Sequence, residues 1–408
     1  MNILPGNMRF GAGKSPKRLE DQRLLTGKGQ FIDDKPEEGA LWLYMLRSPH
    51  AHAKIVSIDT KAAREMPGVE AIYTGADLIT DDIGTLPTLL IFPRPDGSPM
   101  TVPPRRLLAH DLVRYVGETV AAVVATSRYA AQSAAEAIVM EYQELPSVVD
   151  PMEAVKPGAP VVWSEVPNNV VASMSYGDAA AVEAVFAKAD HVVSLDLLNQ
   201  RLVPCAMEPR STIAEVEKKT GRLILHVQSQ TPASTRDTLA EAVLKRPKES
   251  IQVLVGDIGG GFGHKTNLYP EDGMVAYAAV KLNKKVRWRG ERSDDFLGGT
   301  HGRDLTSTAE FALDAKGRVQ AFRVRSVGGT GAYISGTGAL IPLILGPFVQ
   351  TGVYDLPLVH YDLKAVMTHT APVAAYRGAG RPEAVFVVER LMDAAARQLK
   401  IDPRAIRK

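Results

Sequence analysis

Gly256-Asp257-Ile258-Gly259-Gly260-Gly261-Phe262-Gly263-His264-Lys265 is the stretch from which this chain is read. It follows a strand-like run, Ile251 to Val255, and precedes a helical pattern from Leu268 to Leu282. Four of the five residues from Gly259 to Gly263 are glycine. Glycine permits positive φ and lets another group come close to the main chain. A strand that breaks into glycines and then starts a helix leaves backbone N–H groups that suit an anion or an oxo group. The spacing is neither a phosphate-binding Walker loop nor a dinucleotide fingerprint. Pattern alone serves a simple chain-reversing turn equally well. Phe262 favours a site, because a pocket wall uses an aromatic residue and a turn does not.

Working outward, 408 residues predict about two or three domains. Hydrophobic residues make up 45% and charged residues 23%, as in ordinary globular proteins. The 48 basic and 46 acidic residues leave +2, which gives no electrostatic case for nucleic acid or an acidic membrane. One cysteine, Cys205, excludes an internal disulfide and a multi-thiolate cluster within the sequence. No apolar run reaches the roughly 20 residues of a membrane span, and Met1 to Gly13 has no signal-peptide core. These features predict a cytoplasmic location.

Along the chain, residues 1–16 read as an extended arm. A short strand is expected at Gln30-Phe31-Ile32, and strands at Ala40 to Arg47, Ile55 to Ile58 and Val69 to Thr74. Thr80 to Pro104 reads as a long surface loop. Val120 to Ala125 is a buried strand. Ala130 to Met140 is a helix capped by Thr126 or Ser127. The prolines at 146, 151, 157 and 160 suggest a linker over 146–175. Further strands are expected at His191 to Leu198, Leu223 to Val227, Val286 to Arg289, Thr306 to Leu313, Val319 to Val327 and Val359 to Met367, with a helix at Thr235 to Lys245. Gly328 to Gly338 reads as a flexible loop. Ala384 to Leu399 repeats apolar residues at helical spacing, with Pro382 in the first turn.

A second loop, Ala375-Tyr376-Arg377-Gly378-Ala379-Gly380-Arg381, repeats the opening design: strand, small residues, helix start. Its two arginines can clamp an oxo group, a phosphate or a carboxylate. Alone, the simpler reading pairs them with Glu383 or Glu389. Two such junctions together favour one shared anion. Gln228-Ser229-Gln230-Thr231-Pro232 adds a neutral amide near a strand end, which can donate to an oxo ligand or merely cap a turn. No His/Cys/Asp/Glu cluster has metal-ligand spacing. His50 and His52 are a weak pair.

Together these motifs resemble the front half of the molybdopterin-binding large subunit of the xanthine dehydrogenase and aldehyde oxidase family. Arg18-Leu19-Glu20-Asp21, Leu25-Thr26-Gly27, Ile32-Asp33-Asp34, Arg47-Ser48-Pro49-His50-Ala51 and Pro67-Gly68-Val69 resemble its a/b hammerhead domain. Glu208-Pro209-Arg210, Gly259 to Gly263 and Ala375 to Arg381 resemble its first cofactor-binding domain. The resemblance implies an α+β fold: a hammerhead domain over 17–145, a linker over 146–175, and the first molybdopterin-binding α/β domain over 176–408. It implies molybdenum held by a pterin dithiolene, in the cytosine dinucleotide form. Carried over by motif, Gln230 faces the apical oxo group. Gly260, Gly261, Phe262 and Gly263 lie against the pterin and molybdenum ligands, with Gly263 offering its N–H. Arg377, Gly378 and Ala379 border the cofactor. Tyr376, Ala379 and Leu345 face substrate.

The family hydroxylates an electrophilic carbon with oxygen taken from water, using a base glutamate in its C-terminal half. None of the residues in this sequence matches that glutamate, so no catalytic residue is expected here. The implied partners are the C-terminal half of the large subunit, an iron–sulfur (2Fe-2S) small subunit and an FAD medium subunit. Copper-dependent carbon monoxide dehydrogenases carry cysteine where Gly378 stands. Purine-oxidising members carry glutamate at Thr266, a stacking phenylalanine at Ala379 and arginine at Leu345. An aldehyde or N-heterocycle therefore fits better than carbon monoxide or a purine. The competing reading is a scaffold that docks partner chains without cofactor. Retention of Gln230, the glycine loop and Arg377 argues against it.

Overall fold

A computed structural model describes Ser15, residues 17–36 and residues 38–408. Apart from Ser15, the arm expected over 1–16 lies outside the described residues. Among the described residues no helix is long and apolar enough to cross a membrane.

Strand Thr119–Ala125 lies inside a seven-stranded sheet, and every one of its residues is buried. Its alternate side chains serve two layers. Ala122 and Val124 pack with Met274, Val275 and Ala278 of helix Pro270–Leu282. Ala121, Val123 and Ala125 pack with Ala131, Ala134 and Ala135 of helix Arg128–Glu136. A strand covered on both faces needs such an unbroken apolar run.

The sheet order is Ile251–Leu254, Leu223–Val227, Ser211–Val216, Val286–Arg289, Leu41–Arg47, Thr119–Ala125 and Val69–Thr74. Leu41–Arg47 pairs in parallel with Val286–Arg289, in register Leu41 to Val286. A five-stranded sheet runs Val170–Gly177, Val359–Met367, Val319–Gly331, Leu305–Leu313, His191–Asn199. Helix Arg381–Leu399 packs its buried Val388, Leu391 and Ala395 against this second sheet. Three short strands, Leu112–Val113, Ala53–Asp59 and Val139–Glu144, form a third sheet.

Several local expectations differ from the structure. Gln30-Phe31-Ile32 is not a strand. Ile32–Asp34 form a single tight turn, and the Phe31 N–H donates to Asp34 Oδ2 at 2.9 Å. The helix expected to reach Met140 ends at Glu136, and a strand starts at Val139. Its cap is Ser127, whose hydroxyl accepts from the Ala130 N–H at 3.1 Å. The helix expected over Thr235 to Lys245 begins at Pro232 and widens into a π turn at Thr238–Val243. Gly328 to Gly331 is not loop but the end of strand Val319–Gly331. A Cβ at Gly328 would lie 3.1 Å from Pro342 and one at Gly329 2.1 Å from Asp304 Oδ2, so these glycines serve close packing. The 146–175 stretch carries a short helix, Pro151–Ala154, capped by Asp150. From Val170 it enters the second sheet.

Two histidines, buried His369 and half-buried His301, make the fold acid-sensitive. His369 accepts from the Val148 N–H at 3.1 Å and lies 4.2 Å from the His52 ring. His301 is set between Arg201 and the Phe296 carbonyl. Burial, aided by Arg201 for His301 and by His52 for His369, lowers both to about 4. Both stay neutral in the fold, while the unfolded chain takes up protons below about pH 6.5. Their contribution is therefore full above that pH and is lost as pH falls towards 4, up to about 2 kcal/mol each near pH 5. Asp272, pushed up to about 6 by burial, works the other way over part of that range. Its return is about 1 kcal/mol near pH 5. The two histidines outweigh Asp272, so a net loss of stability between pH 7 and 5 is expected, read from urea unfolding. Equal stability at the two pH values would refute this assignment.

Candidate cofactor-binding site

Parallel neighbours bring the first loops together. Strands Leu223–Val227 and Ile251–Leu254 pair in parallel, Leu223 with Ile251 through His226 with Leu254, so their C-terminal ends share one edge. Sites in open α/β sheets gather beyond such ends. The Gln228 to Thr231 segment leaves the first strand and the glycine loop leaves the second. The Gly263 N–H donates to Gln230 Oε1 at 2.9 Å, and the Gln230 N–H donates to the Lys265 carbonyl at 2.8 Å. With its carbonyl side engaged, exposed Gln230 presents its NH₂ outward. The amide of Gly263, expected to face a ligand directly, instead aims Gln230.

The loop needs its glycines for two reasons. Gly260 and Gly263 have φ of +100° and +94°, and a Cβ at Gly261 would lie 2.5 Å from Gln230 Oε1. Phe262 also sits at positive φ, +53°, with its side chain 44% exposed. Such a backbone costs an L-residue about 1–2 kcal/mol, so surrounding contacts must hold it.

Those contacts come from beneath. Glu208 Oε2 accepts from the Gly259 N–H at 2.7 Å and from Lys265 Nζ at 3.2 Å. Lys265 Nζ also donates to the Glu208 carbonyl at 2.9 Å. Lys265 is 1% exposed; burial pulls its pKa below the usual lysine value, against the opposing pull of Glu208. One ion pair thus staples both ends of the loop.

Two residues on, Arg210 enters a buried charge cluster. It donates to Glu271 Oε2 and Asp295 Oδ1, both at 3.0 Å. Arg47 donates to Glu271 Oε1 at 2.6 Å and to Asp294 at 2.8 Å. Burial pushes the Glu271 carboxyl up, but the Arg210 and Arg47 guanidiniums outweigh it and hold it at about 2. The motifs around Arg47, Glu208 and the glycine loop are therefore one assembly.

The second loop closes on the first. The Arg377 N–H donates to the Phe262 carbonyl at 2.8 Å, and the Arg377 guanidinium lies 6.0 Å from the Phe262 ring centre. Gly378, Ala379 and Gly380 have φ of +92°, +41° and +91°. Arg303 fixes this turn by donating to the Tyr376 carbonyl at 3.0 Å and the Arg377 carbonyl at 2.7 Å. Glu383 pairs with Arg303 and Glu389 with Arg407, not with Arg377 or Arg381 as the simpler reading had it. Tyr376 packs on Gly302, and Leu345 lies behind the turn, with its backbone against Gly380.

Gln230, Phe262, Arg377, Gly378 and Ala379 thus come together, and the backbone of Leu345 and Gly346 packs against Gly380 of the same turn. The supporting roles of Glu208, Lys265 and Arg303 were not read from the sequence. The Glu208-Pro209-Arg210 motif was the one signal for the first, and nothing local marks the other two.

The donors suit an oxo-bearing anionic group: an outward amide, a guanidinium and an aromatic wall. Among the described residues no cluster of histidine, cysteine, aspartate or glutamate could hold a metal ion, so a metal here must arrive with its own ligands. The residues present fit a metal held by a pterin.

Comparison with known proteins agrees. Residues 162–408 match the molybdopterin cofactor-binding domain, and residues 26–146 match the aldehyde oxidase and xanthine dehydrogenase a/b hammerhead domain. The fold and site thus define a molybdopterin-binding chain with a hammerhead region. The chain belongs to the xanthine dehydrogenase and aldehyde oxidase family of molybdenum-dependent oxidoreductases.

It is 36% identical to the nicotine 6-hydroxylase large subunit of Paenarthrobacter nicotinovorans, over 97% of this chain and 48% of that one. The crystal structure of quinoline 2-oxidoreductase from Pseudomonas putida 86 superposes with a TM-score of 0.87 at 37% identity, over 97% of this chain and 49% of that one. The chain therefore spans about half the length of these relatives. The nicotinate dehydrogenase large molybdopterin subunit of Eubacterium barkeri, 29% identical, is covered over 88% of its length.

Proposed function

We propose that this chain is the N-terminal half of a molybdenum-hydroxylase large subunit. Its two loops hold the pterin-bound molybdenum, in the cytosine dinucleotide form. The observation that carries this reading is the Arg377 N–H to Phe262 carbonyl bond at 2.8 Å, which makes the two loops one surface. When bound, the cofactor supplies two-electron hydroxylation of an aldehyde or N-heterocyclic carbon with oxygen from water. This chain's part is to orient and exclude. Gln230 presents an amide donor, Phe262 walls one side, and Arg377 and Ala379 border the other.

Gly378 has φ of +92°, and a Cβ there would lie 2.6 Å from the Pro382 ring, which disfavours a metal-ligating side chain at that position. The base glutamate belongs to a region equivalent to the relatives' C-terminal half, on the same polypeptide or on a second one. An iron–sulfur subunit and an FAD subunit take the electrons, in the cytoplasm.

The test is co-expression. The 408-residue chain alone is expected to bind little molybdenum and to show no turnover. Adding a matching C-terminal half should raise molybdenum content at least tenfold, about 1.4 kcal/mol in apparent affinity. Full activity from the 408-residue chain alone contradicts the proposal.

A further inference from the structure

A cavity of about 320 Å³ is lined by Ala375, by Thr266 just after the glycine loop, and by the segment Leu86 to Leu89. This segment belongs to the stretch expected to be a surface loop. It is tied inward, because the Leu89 N–H donates to the Gly336 carbonyl at 3.0 Å and the Leu86 N–H to the Arg105 carbonyl at 2.8 Å. The cavity walls are apolar, amide and hydroxyl groups with one exception, Arg105, the only charged residue lining it among the described residues.

Arg105 is 4% exposed. Its Nη1 donates to Ser335 Oγ at 3.0 Å, while its Nη2 is buried without a partner among the described residues. Among the described residues no carboxylate lines the cavity. Glu118, whose charge Arg105 senses, is engaged by the Tyr333 hydroxyl and the Arg114 N–H. Two further residues lining the cavity carry a buried polar atom without a partner among the described residues, Asn267 Nδ2 and Thr337 Oγ1. Asn267 packs on Gly336, where a Cβ would meet its Oδ1 at 2.2 Å, and Arg105 is bonded to the preceding Ser335. A guanidinium, an amide NH₂ and a hydroxyl therefore gather around residues 335–337.

A buried guanidinium with an unsatisfied N–H is expensive, and its natural complement is an anion that brings several acceptors. Three donors around one cation match a carboxylate. Leu86, Pro87, Leu89, Leu268 and Ala375 supply the apolar remainder, and the volume suits one or two rings. We infer that this cavity binds a small aromatic or heteroaromatic monocarboxylate, with Arg105, Asn267 and Thr337 gripping the carboxylate and the ring directed towards Ala375. The inference rests on the cofactor reading in one respect only: it is that reading that makes the ligand a substrate. Arg105 would then be the specificity-determining cation of that site.

The test uses the protein assembled with its partner chains, with sodium benzoate and benzamide as probes. They are titrated by calorimetry, with molybdenum measured in the same preparations. Benzoate is expected to bind at least tenfold more tightly than benzamide, about 1.4 kcal/mol. Arg105→Met should abolish that preference, and Arg105→Lys should keep part of it. Asn267→Ala should weaken benzoate about threefold and decides the matter should Arg105→Met fail to fold.

Equal affinity for the two probes, or undiminished benzoate binding by Arg105→Met, overturns the inference. Benzoate binding by the isolated chain that vanishes on assembly also overturns it, because a partner carboxylate then occupies Arg105. Normal molybdenum with no benzoate preference sinks this inference and leaves the cofactor reading intact. Benzoate preference without molybdenum does the reverse.

Discussion

Gly263→Val, in the assembled protein, is expected to lose at least nine-tenths of its molybdenum while remaining folded. Gly263 has φ of +94°, a conformation that costs a β-branched residue at least the 1–2 kcal/mol of an ordinary side chain. Space is the larger problem. The first added carbon would lie 2.6 Å from the Ala375 carbonyl oxygen and 2.8 Å from its carbon, backbone atoms that cannot rotate away. The second loop must therefore retreat, which stretches the Arg377 N–H to Phe262 bond that joins the two loops. The same shift turns the Gly263 N–H away from Gln230, so the outward amide loses its aim. Gly263→Ala places the same first carbon with less bulk and should fall between. Metal analysis and pterin fluorescence, with circular dichroism as the folding control, check this. Wild-type molybdenum in the valine variant removes the site from the assigned loops.

Arg210→Met is expected to cost about 3–5 kcal/mol of stability, the usual penalty for stripping one partner from a buried ion pair. Glu271 is fully buried and shared between Arg210 and Arg47, and Asp295 loses a donor at the same time. The pH dependence identifies the cause. In the native protein Glu271 titrates at about 2, below its unfolded value of 4.5. Its stabilising contribution is therefore complete above pH 4.5 and disappears as pH falls towards 2. That shift corresponds to about 3 kcal/mol. Urea unfolding should show the largest gap between wild type and variant near neutral pH, narrowing below about pH 4.5. A gap that is small or independent of pH would mean that Arg210 contributes through packing on Tyr269 and Trp288 and not through charge.

What the sequence made legible follows from range. The buried strand Thr119–Ala125 and the final helix Arg381–Leu399 announce themselves through local pattern, as do the two glycine loops. Gly328 and Gly329 misled because a glycine needed for close packing against Pro342 and Asp304 looks the same as one needed for freedom. The helix after Ser127 was read too long because Ala137 and Ile138 suit a helix, while pairing with Ala53–Asp59 draws the chain into a strand from Val139. Arg303, Lys265 and Arg105 were invisible for another reason. Their roles depend on what distant segments bring to them: the Arg377 turn, Glu208, and the unsatisfied atoms around Ser335 to Thr337.

The parallel pairing of Leu41–Arg47 with Val286–Arg289 bears on how such proteins can be dissected. The two family-matched regions look separable as text, yet they share one ladder of main-chain bonds. Cutting between them would expose two raw strand flanks, each a template for self-association. For anyone shuffling modules among these enzymes, the transplantable unit is the pair.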